Sequence, residues 1–186
     1  MLFGIRKPKR YAVFISGNGS TLQSLLEMHD QINIQLVVFN KKNKLGELKA
    51  KRFGKSAVYL SKEYTFEQLH VELIKNNINA IFLAGFMKLL PKEFVQVWNG
   101  RIFNIHPSLL PEFPGLNSLE NNFHAKTSMG VTIHEVNEQM DQGRVFLQSK
   151  AIDLEVVRKI SLVDANTFVR RTEQHLLREF VIRKAL

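Results

Sequence analysis

Apolar and polar residues follow one another along the first hundred positions in blocks of the lengths that strands and helices need. Runs of almost continuous aromatic and β-branched residues, such as RYAVFIS at 10–16, predict buried strands. The segments between them repeat apolar residues every three or four positions, as helices with one buried face do. This order predicts strands over 10–16, 32–40, 57–60, 80–84 and 101–105, and helices over 20–30, 45–53, 65–76 and 91–98. The third helix should bury Phe66, Leu69, Leu73 and Ile74.

The strands that alternate with helices predict a parallel sheet, because strands this apolar must be covered on both faces. Farther along, Val131–Val136 and Val145–Gln148 alternate apolar with polar residues, which indicates antiparallel or edge strands. Leu162–Val181 has the spacing of one long helix packed on the sheet. We predict one α/β domain over 1–186, in which 1–9 form a basic extension. Its fold should be a mostly parallel, twisted, Rossmann-like sheet with helices on both faces and antiparallel edge strands toward the C-terminus.

Composition narrows the classes of function. The chain contains no cysteine, which excludes disulfides and thiolate metal sites. No apolar run approaches the roughly 20 residues of a membrane span, so we expect a soluble, cytoplasmic protein without membrane partners. The formal net charge of +9 would suit nucleic acid or small anionic substrates. Because no aromatic residues are interleaved with the scattered basic ones, a solvated basic surface explains the charge better than a nucleic-acid interface.

The segment FNIHPSLLPEFPG at 103–115 carries the most distinctive chemistry. Asn104 and His106 stand two positions apart at the end of a predicted strand, so they project from the same face. An amide donor beside an imidazole, followed by three prolines, suits the wall of an active site. A histidine in such a place is more often a hydrogen-bonded packing residue, and an acidic partner would favour catalysis. The candidate partner is Asp141, in the polar loop at 137–143, where an ordinary turn residue is the alternative.

The turn SGNGST at 16–21 follows the first predicted strand. Ligands of open α/β sheets bind at the carboxyl ends of the strands, where this turn and His106 both belong. Two glycines allow the backbone to approach a ligand closely, and the first amides of the following helix favour an anion. The dinucleotide and Walker glycine patterns are both absent. A phosphate site and a tight turn that binds nothing therefore remain open.

Four motifs together resemble the folate-dependent formyltransferases, and most specifically their glycinamide ribonucleotide branch. They are SGNGST at 16–21, LAGFMKLLP at 83–91, NIHPSLLPEFPG at 104–115 and DQG at 141–143, and the resemblance runs from about Tyr11 to Val181. It implies transfer of a formyl group from 10-formyltetrahydrofolate to the amine of glycinamide ribonucleotide in purine biosynthesis, without a metal. The alternatives are a formyltransferase with another amine acceptor, a 10-formyltetrahydrofolate hydrolase, and a non-catalytic nucleic-acid-binding protein.

The resemblance also implies roles for individual residues. Asn104 would donate to the oxyanion formed when the amine attacks the formyl carbon, His106 would act on it and move the proton, and Asp141 would orient His106. Residues on the turn and the last helix would bind the amine substrate: Gly17, Asn18, Gly19, Ser20, Thr21, Arg170, Arg171, Thr172 and Glu173. A third set would bind folate: Lys62, Met87, Lys88, Leu89, Leu90, Asn104, Asn137, Glu138, Gln139, Met140 and Asp141. His134 either lines this site or is a core histidine.

Two stretches depart from the family pattern. Residues 116–129, LNSLENNFHAKTSM, resemble it only as a helix-like insertion. Gly143-Arg144 stands where the family has glycine followed by proline, which places a charge in the loop that carries Asp141. These departures leave open a divergent enzyme with low activity or with a changed acceptor amine.

Overall fold

The structure is a computed structural model that describes residues 9–42 and 44–185. Residues 1–8, most of the predicted basic extension, lie outside the described residues. Within the described ranges, no helix combines the length and the apolar character needed to cross a membrane.

Strands and helices alternate as the hydrophobic pattern predicts, with ends that shift by a few residues. The strands are β1 (Arg10–Ile15), β2 (Asn33–Phe39), β3 (Ser56–Tyr59), β4 (Ala80–Leu83), β5 (Ile102–His106), β6 (Met129–Glu135) and β7 (Val145–Ile152). The helices are α1 (Ser20–Glu27), α2 (Lys44–Arg52), α3 (Phe66–Lys75), α4 (Lys92–Val97), α5 (Ser118–His124), α6 (Leu154–Val157) and α7 (Leu162–Ala185). The short helix α6 was not predicted, and β5 includes His106 instead of ending before it.

The seven strands form one sheet in the order β3-β2-β1-β4-β5-β6-β7. The pairs among β1 to β5 are parallel, whereas β6 and β7 join as antiparallel strands, which confirms the predicted fold class. The strand order reverses between β1 and β4, because β2 and β3 extend the sheet to one side of this pair and β5 extends it to the other. Such a reversal opens a crevice at the carboxyl ends of the strands, where ligands bind in open α/β sheets.

Each face of the sheet packs against its own hydrophobic core. Alternate residues of β1 serve the two cores: Val13 belongs to the one covered by α1 and α7, and Phe14 to the one covered by α3 and α4. On α3 the buried residues are Phe66, Leu69 and Leu73. Ile74 is 53% exposed, so the prediction that it faces inward was wrong.

Glu173 interrupts the apolar stripe of α7. It stands four residues after the buried Val169 and three before the buried Leu176, on the side of the helix that faces the sheet. Burial raises the pKa of the Glu173 carboxyl to about 7, although Arg170 nearby acts in the opposite direction. The folded protein therefore holds this carboxyl only partly ionised at neutral pH.

Glu173→Gln should stabilise the fold at alkaline pH much more than at acidic pH. The folded-state pKa lies above the ordinary value of 4.5, so ionisation costs folding free energy that develops as the pH rises from 4.5 through 7. We expect a gain of roughly 2–3 kcal/mol at pH 8.5 and almost none at pH 4.5, measured by urea unfolding. Glu179→Gln is the control, because that carboxylate is paired with Arg183 near the surface. An equal gain at both pH values would contradict a charge-burial cost.

Candidate active site

A cavity of about 730 Å³ opens at the carboxyl ends of β4 and β5 and beside the end of β6. The lining comes from the loop after β4, two residues of α4, the end of β5, the segment that leads into α5 with its first turn, and His134 of β6 with the loop that follows. A cavity of this volume accommodates a small organic molecule. It lies on the β4 side of the point where the strand order reverses.

The three predicted catalytic side chains meet at this cavity. His106 Nδ1 lies 3.5 Å from Asp141 Oδ2, and Asn104 Nδ2 lies 3.5 Å from Asp141 Oδ1. Asn104 and His106 share one face of β5, as the period of a strand predicts. The chain then returns through β6, and the loop after β6 carries Asp141 back to them. This approach depends on the antiparallel pairing of β5 and β6.

His134 is the fourth member of the cluster. It pairs directly with Asn104 across β5 and β6, and its Nε2 lies 3.2 Å from Asn104 Nδ2 and 3.4 Å from Asp141 Oδ1. The Asn104 amide can donate to Asp141, whereas His134 Nε2 either accepts from Asn104 or donates to Asp141, because one ring nitrogen cannot do both. The sequence predicts that His134 either lines the site or is a core histidine. The structure supports the first alternative, because His134 lines the cavity.

The carboxylate of Asp141 is the electrostatic centre of the cluster. Burial alone would raise the pKa of Asp141, but hydrogen bonds from His134 and from the backbone N–H of Gly115, together with the nearby His106, outweigh it and lower the pKa to about 2. The Gly115 nitrogen lies 2.7 Å from Asp141 Oδ2. Asp141 also has a φ of 54°, a left-handed conformation that its surroundings must hold. The carboxylate is therefore ionised throughout the neutral range.

His106 is nearly enclosed and faces an acceptor on each side. Its Nε2 lies 2.9 Å from the carbonyl oxygen of Phe113, and its Nδ1 faces Asp141. An imidazole that carries a hydrogen on both nitrogens satisfies both contacts. The ring is thus fixed in orientation from two directions, one of them the loop rich in proline.

Buried hydroxyl groups hold that loop from beneath. Thr132 Oγ1, on β6, donates to the carbonyl of Ser108 at 2.7 Å and accepts from the Leu110 N–H at 3.1 Å. Gln148 Nε2, on β7, donates to Thr132 Oγ1 and to the Leu110 carbonyl, both at 2.9 Å. Ser108 and Thr132 are fully buried. Sequence reasoning missed this network, because nothing local distinguishes Thr132 from any other threonine in a strand.

Ten of the eleven residues predicted to bind folate line the cavity: Met87, Lys88, Leu89, Leu90, Asn104, Asn137, Glu138, Gln139, Met140 and Asp141. Lys62 is exposed in the turn after β3, at the other end of the sheet, and its role stays a prediction. Glu138 has a structural contact as well. Lys92 Nζ lies 2.9 Å from its carboxylate and Gln96 Nε2 donates to it at 2.7 Å, so Glu138 fastens the loop of Asp141 to α4.

The residues predicted to bind the amine substrate lie outside the lining of this cavity. In the turn Gly17–Thr21, Gly19 has a φ of 69° immediately before α1, a conformation that glycine adopts at little cost. Lys49 Nζ, on α2, donates to the carbonyls of Asn18 at 2.9 Å and Gly19 at 3.0 Å, which fixes the turn. Arg170, Arg171, Thr172 and Glu173 lie on α7, and only the last two are half-buried.

The two departures from the family pattern have structural accounts. Arg144 forms an ion pair with Glu135 at 2.6 Å, which closes the base of the loop that carries Asp141. A Cβ atom on Gly143 would lie 1.6 Å from the Glu135 carbonyl oxygen, so only glycine fits there. The segment 116–129 contains α5, which confirms the predicted helix, and its first turn contributes Ser118, Leu119 and Glu120 to the cavity wall.

Comparisons with known proteins agree with this arrangement. Residues 9–181 match the family model described as Formyl transferase. The chain is 35% identical to the phosphoribosylglycinamide formyltransferase of Bacillus subtilis over 158 residues, which are 79% of this chain and 80% of the relative. It is 38% identical to the trifunctional purine biosynthetic protein adenosine-3 of Chironomus tentans over 75% of this chain, but it spans only 11% of that protein's length.

Solved structures show the same likeness. The phosphoribosylglycinamide formyltransferase of Anaplasma phagocytophilum superposes with a TM-score of 0.89 and 31% identity, covering 96% of this chain and 88% of that one. The chain therefore belongs to the formyl transferase family, and within that family it resembles the phosphoribosylglycinamide formyltransferases.

Proposed function

We propose that this protein transfers a formyl group from 10-formyltetrahydrofolate to the amine of glycinamide ribonucleotide, a step of purine biosynthesis. The observation that carries the proposal is the junction of Asn104, His106 and Asp141 at the wall of the cavity. The names of the relatives, phosphoribosylglycinamide formyltransferase and trifunctional purine biosynthetic protein, supply the acceptor and the pathway. The family supplies the formyl chemistry and, through it, a folate donor.

The cavity suits a folate. A pterin ring needs apolar surface against its faces and hydrogen-bonding groups along its edge. Met87, Leu89 and Met140 present exposed apolar side chains at the cavity. The polar loop Asn137–Asp141 and the segment Met87–Leu90 both line it. We propose that these two loops bind the pterin between them and direct the formyl group toward Asn104.

The cluster can perform the transfer in two stages. The amine nitrogen first bonds to the formyl carbon, and the carbonyl oxygen becomes an oxyanion. Asn104 stabilises that oxyanion by a hydrogen bond, which requires one of its N–H groups to leave His134 or Asp141. The bond from the formyl carbon to the folate nitrogen then breaks, and the proton released by the amine passes to that nitrogen with the help of His106, whose Nε2 must leave the Phe113 carbonyl for this transfer. Asp141 stays ionised and keeps His106 oriented.

For the acceptor, we propose that the turn Gly17–Thr21 binds the phosphate. The first backbone N–H groups of α1 follow this turn, and the N-cap residue Gly19 has no side chain to cap them. The same proposal places Arg170–Glu173 near the ribose, as the family resemblance implies. Residues 1–186 act as one domain in this proposal, and the cytoplasmic location stays a prediction.

The function is tested by following 10-formyltetrahydrofolate with and without glycinamide ribonucleotide. We expect its consumption to require the ribonucleotide and to yield one formylated product for each folate released. Consumption without any amine would indicate a hydrolase, and consumption only with other amines, such as amino sugars, would indicate a different acceptor. Either result would overturn the assignment.

Asn104→Ala should lower kcat about a hundredfold while folate still binds. One lost oxyanion donor costs on the order of 3 kcal/mol of barrier, whereas the rest of the cavity wall is unchanged. Stopped-flow turnover and titration with tetrahydrofolate measure the two effects separately. Asn99→Ala, in an exposed turn after α4, is the matched control. A variant that loses folate binding and kcat in proportion would argue for a binding role only.

Asp141→Asn should reduce the free energy of unfolding at pH 7 by about 2 kcal/mol. The pKa of Asp141 is lowered from 3.8 to about 2, so its stabilisation is present above pH 3.8 and is lost as the pH falls through 2. The difference between wild type and variant should therefore shrink toward pH 2, as unfolding curves across this range will show. Asp153→Asn, which removes an exposed carboxylate paired with Lys150, should change little. A constant difference at all pH values would exclude ionisation as its source.

A further inference from the structure

Ser16 lies at the point where the strand order of the sheet reverses. It directly follows β1, the strand between β2 and β4, and it stands between the turn Gly17–Thr21 and the loop after β4. The residue is only 5% exposed, and it belongs neither to the catalytic cluster nor to the residues proposed to bind the two substrates. A buried hydroxyl in such a place must find partners, because an unpaired polar group in the interior is costly.

Ser16 contacts both neighbouring strand ends. Its Oγ donates to Asn40 Oδ1, just after β2, at 2.6 Å and accepts from the backbone N–H of Met87 at 2.7 Å. Its own N–H donates to the carbonyl of Gly85 at 3.1 Å. The hydroxyl thus donates its only hydrogen to the residue after β2 and accepts a hydrogen bond from the segment after β4.

These contacts join the two parts of the proposed site. Gly85 and Met87 belong to the segment Gly85–Leu90, which lines the folate cavity. The next residue after Ser16 is Gly17, the first residue of the turn proposed to bind phosphate. Since the turn itself does not line the cavity, the distance between the two substrates depends on how these segments are fixed to each other.

We infer that Ser16 is a positioning residue, which fixes the segment Gly85–Leu90 to the turn Gly17–Thr21 so that the bound folate and the bound amine meet at Asn104. The inference rests on the proposed function for the identity of the two ligands. The Ser16 contacts themselves do not depend on it.

The hydroxyl is the part of Ser16 that matters. Alanine would leave the Met87 N–H and Asn40 Oδ1 without their present partner. The Gly85–Leu90 segment would lose its side-chain link to Ser16 and Asn40, whereas the backbone bond from Ser16 to Gly85 would remain. Threonine keeps the hydroxyl, and Asn40→Ala removes one partner while leaving Ser16 in place. Loss of one buried hydrogen bond corresponds to roughly a tenfold change in an equilibrium constant.

The experiment compares Ser16→Ala, Ser16→Thr and Asn40→Ala with the wild type, and Ser56→Ala on the exposed edge strand β3 is the control. Hydrogen exchange of the Met87 amide, followed by NMR, reports the contact without any ligand. Titration with tetrahydrofolate, alone and with glycinamide ribonucleotide present, reports the folate site and its dependence on the second ligand. Steady-state assays separate KM from kcat.

We expect Ser16→Ala to accelerate exchange at Met87 and to weaken tetrahydrofolate binding about tenfold. Its KM should rise for both substrates, and the effect of the ribonucleotide on folate affinity should disappear. Ser16→Thr should stay closer to wild type, and Asn40→Ala should fall between them and serve as the folded variant if Ser16→Ala does not fold. Unchanged exchange at Met87, or folate affinity within twofold of wild type in both Ser16→Ala and Asn40→Ala, would overturn the inference. Failure of the wild type to use glycinamide ribonucleotide would instead overturn the proposed function, because exchange and folate binding would still respond to Ser16.

Discussion

One carboxylate holds the site together. Asp141 contacts His106 from β5, His134 from β6 and the backbone of Gly115, so three separate segments converge on one negative charge. Without that carboxylate, the Gly115 N–H and one N–H of Asn104 would lose their acceptor inside the protein. A buried charge is stable only when it is paired and hydrogen-bonded, and the low pKa of Asp141 shows that these contacts more than offset its burial. The geometry of the cavity wall follows from satisfying this one group.

The strands, the long helices and the pair of Asn104 and His106 could be predicted, because they depend on local periodicity. A period of two places Asn104 and His106 on one face of β5, and an apolar stripe defines each long helix. Ile74 shows the limit of this reasoning. It is next to the buried Leu73, and the inner stripe of α3 is narrower than the apolar pattern suggests. The four-residue helix α6 is too short for any period to appear.

The remainder of the site could not be derived from local spacing, because it depends on pairing between distant parts of the chain; Asp141 was a candidate only through its polar loop and the family resemblance. Asp141 reaches His106 only because β6 returns antiparallel to β5. Ser16 and Thr132 look like ordinary strand residues in the sequence, and only the order of the strands gives them partners on both sides. Arg144 is a similar case. Its charge seemed to disturb the loop of Asp141, yet the pair with Glu135 closes the base of that loop.

The connection between β5 and β6 has two tasks. One part of it, held by the hydroxyl network, orients His106, and the part that follows forms a wall of the cavity. Thr132 and Gln148 tie residues 108–110 to β6 and β7, close to the loop that orients His106. The neighbouring segment 116–120 forms part of the cavity wall and is joined to the same loop by a hydrogen bond from Ser118 Oγ to the Pro107 carbonyl at 3.4 Å. A substitution at Leu119 or Glu120 can therefore change the pocket and leave the hydrogen bonds of Thr132, Gln148 and Ser118 in place. The contacts that shape the pocket and those that hold the loop of His106 are largely carried by different residues of a single connection between strands.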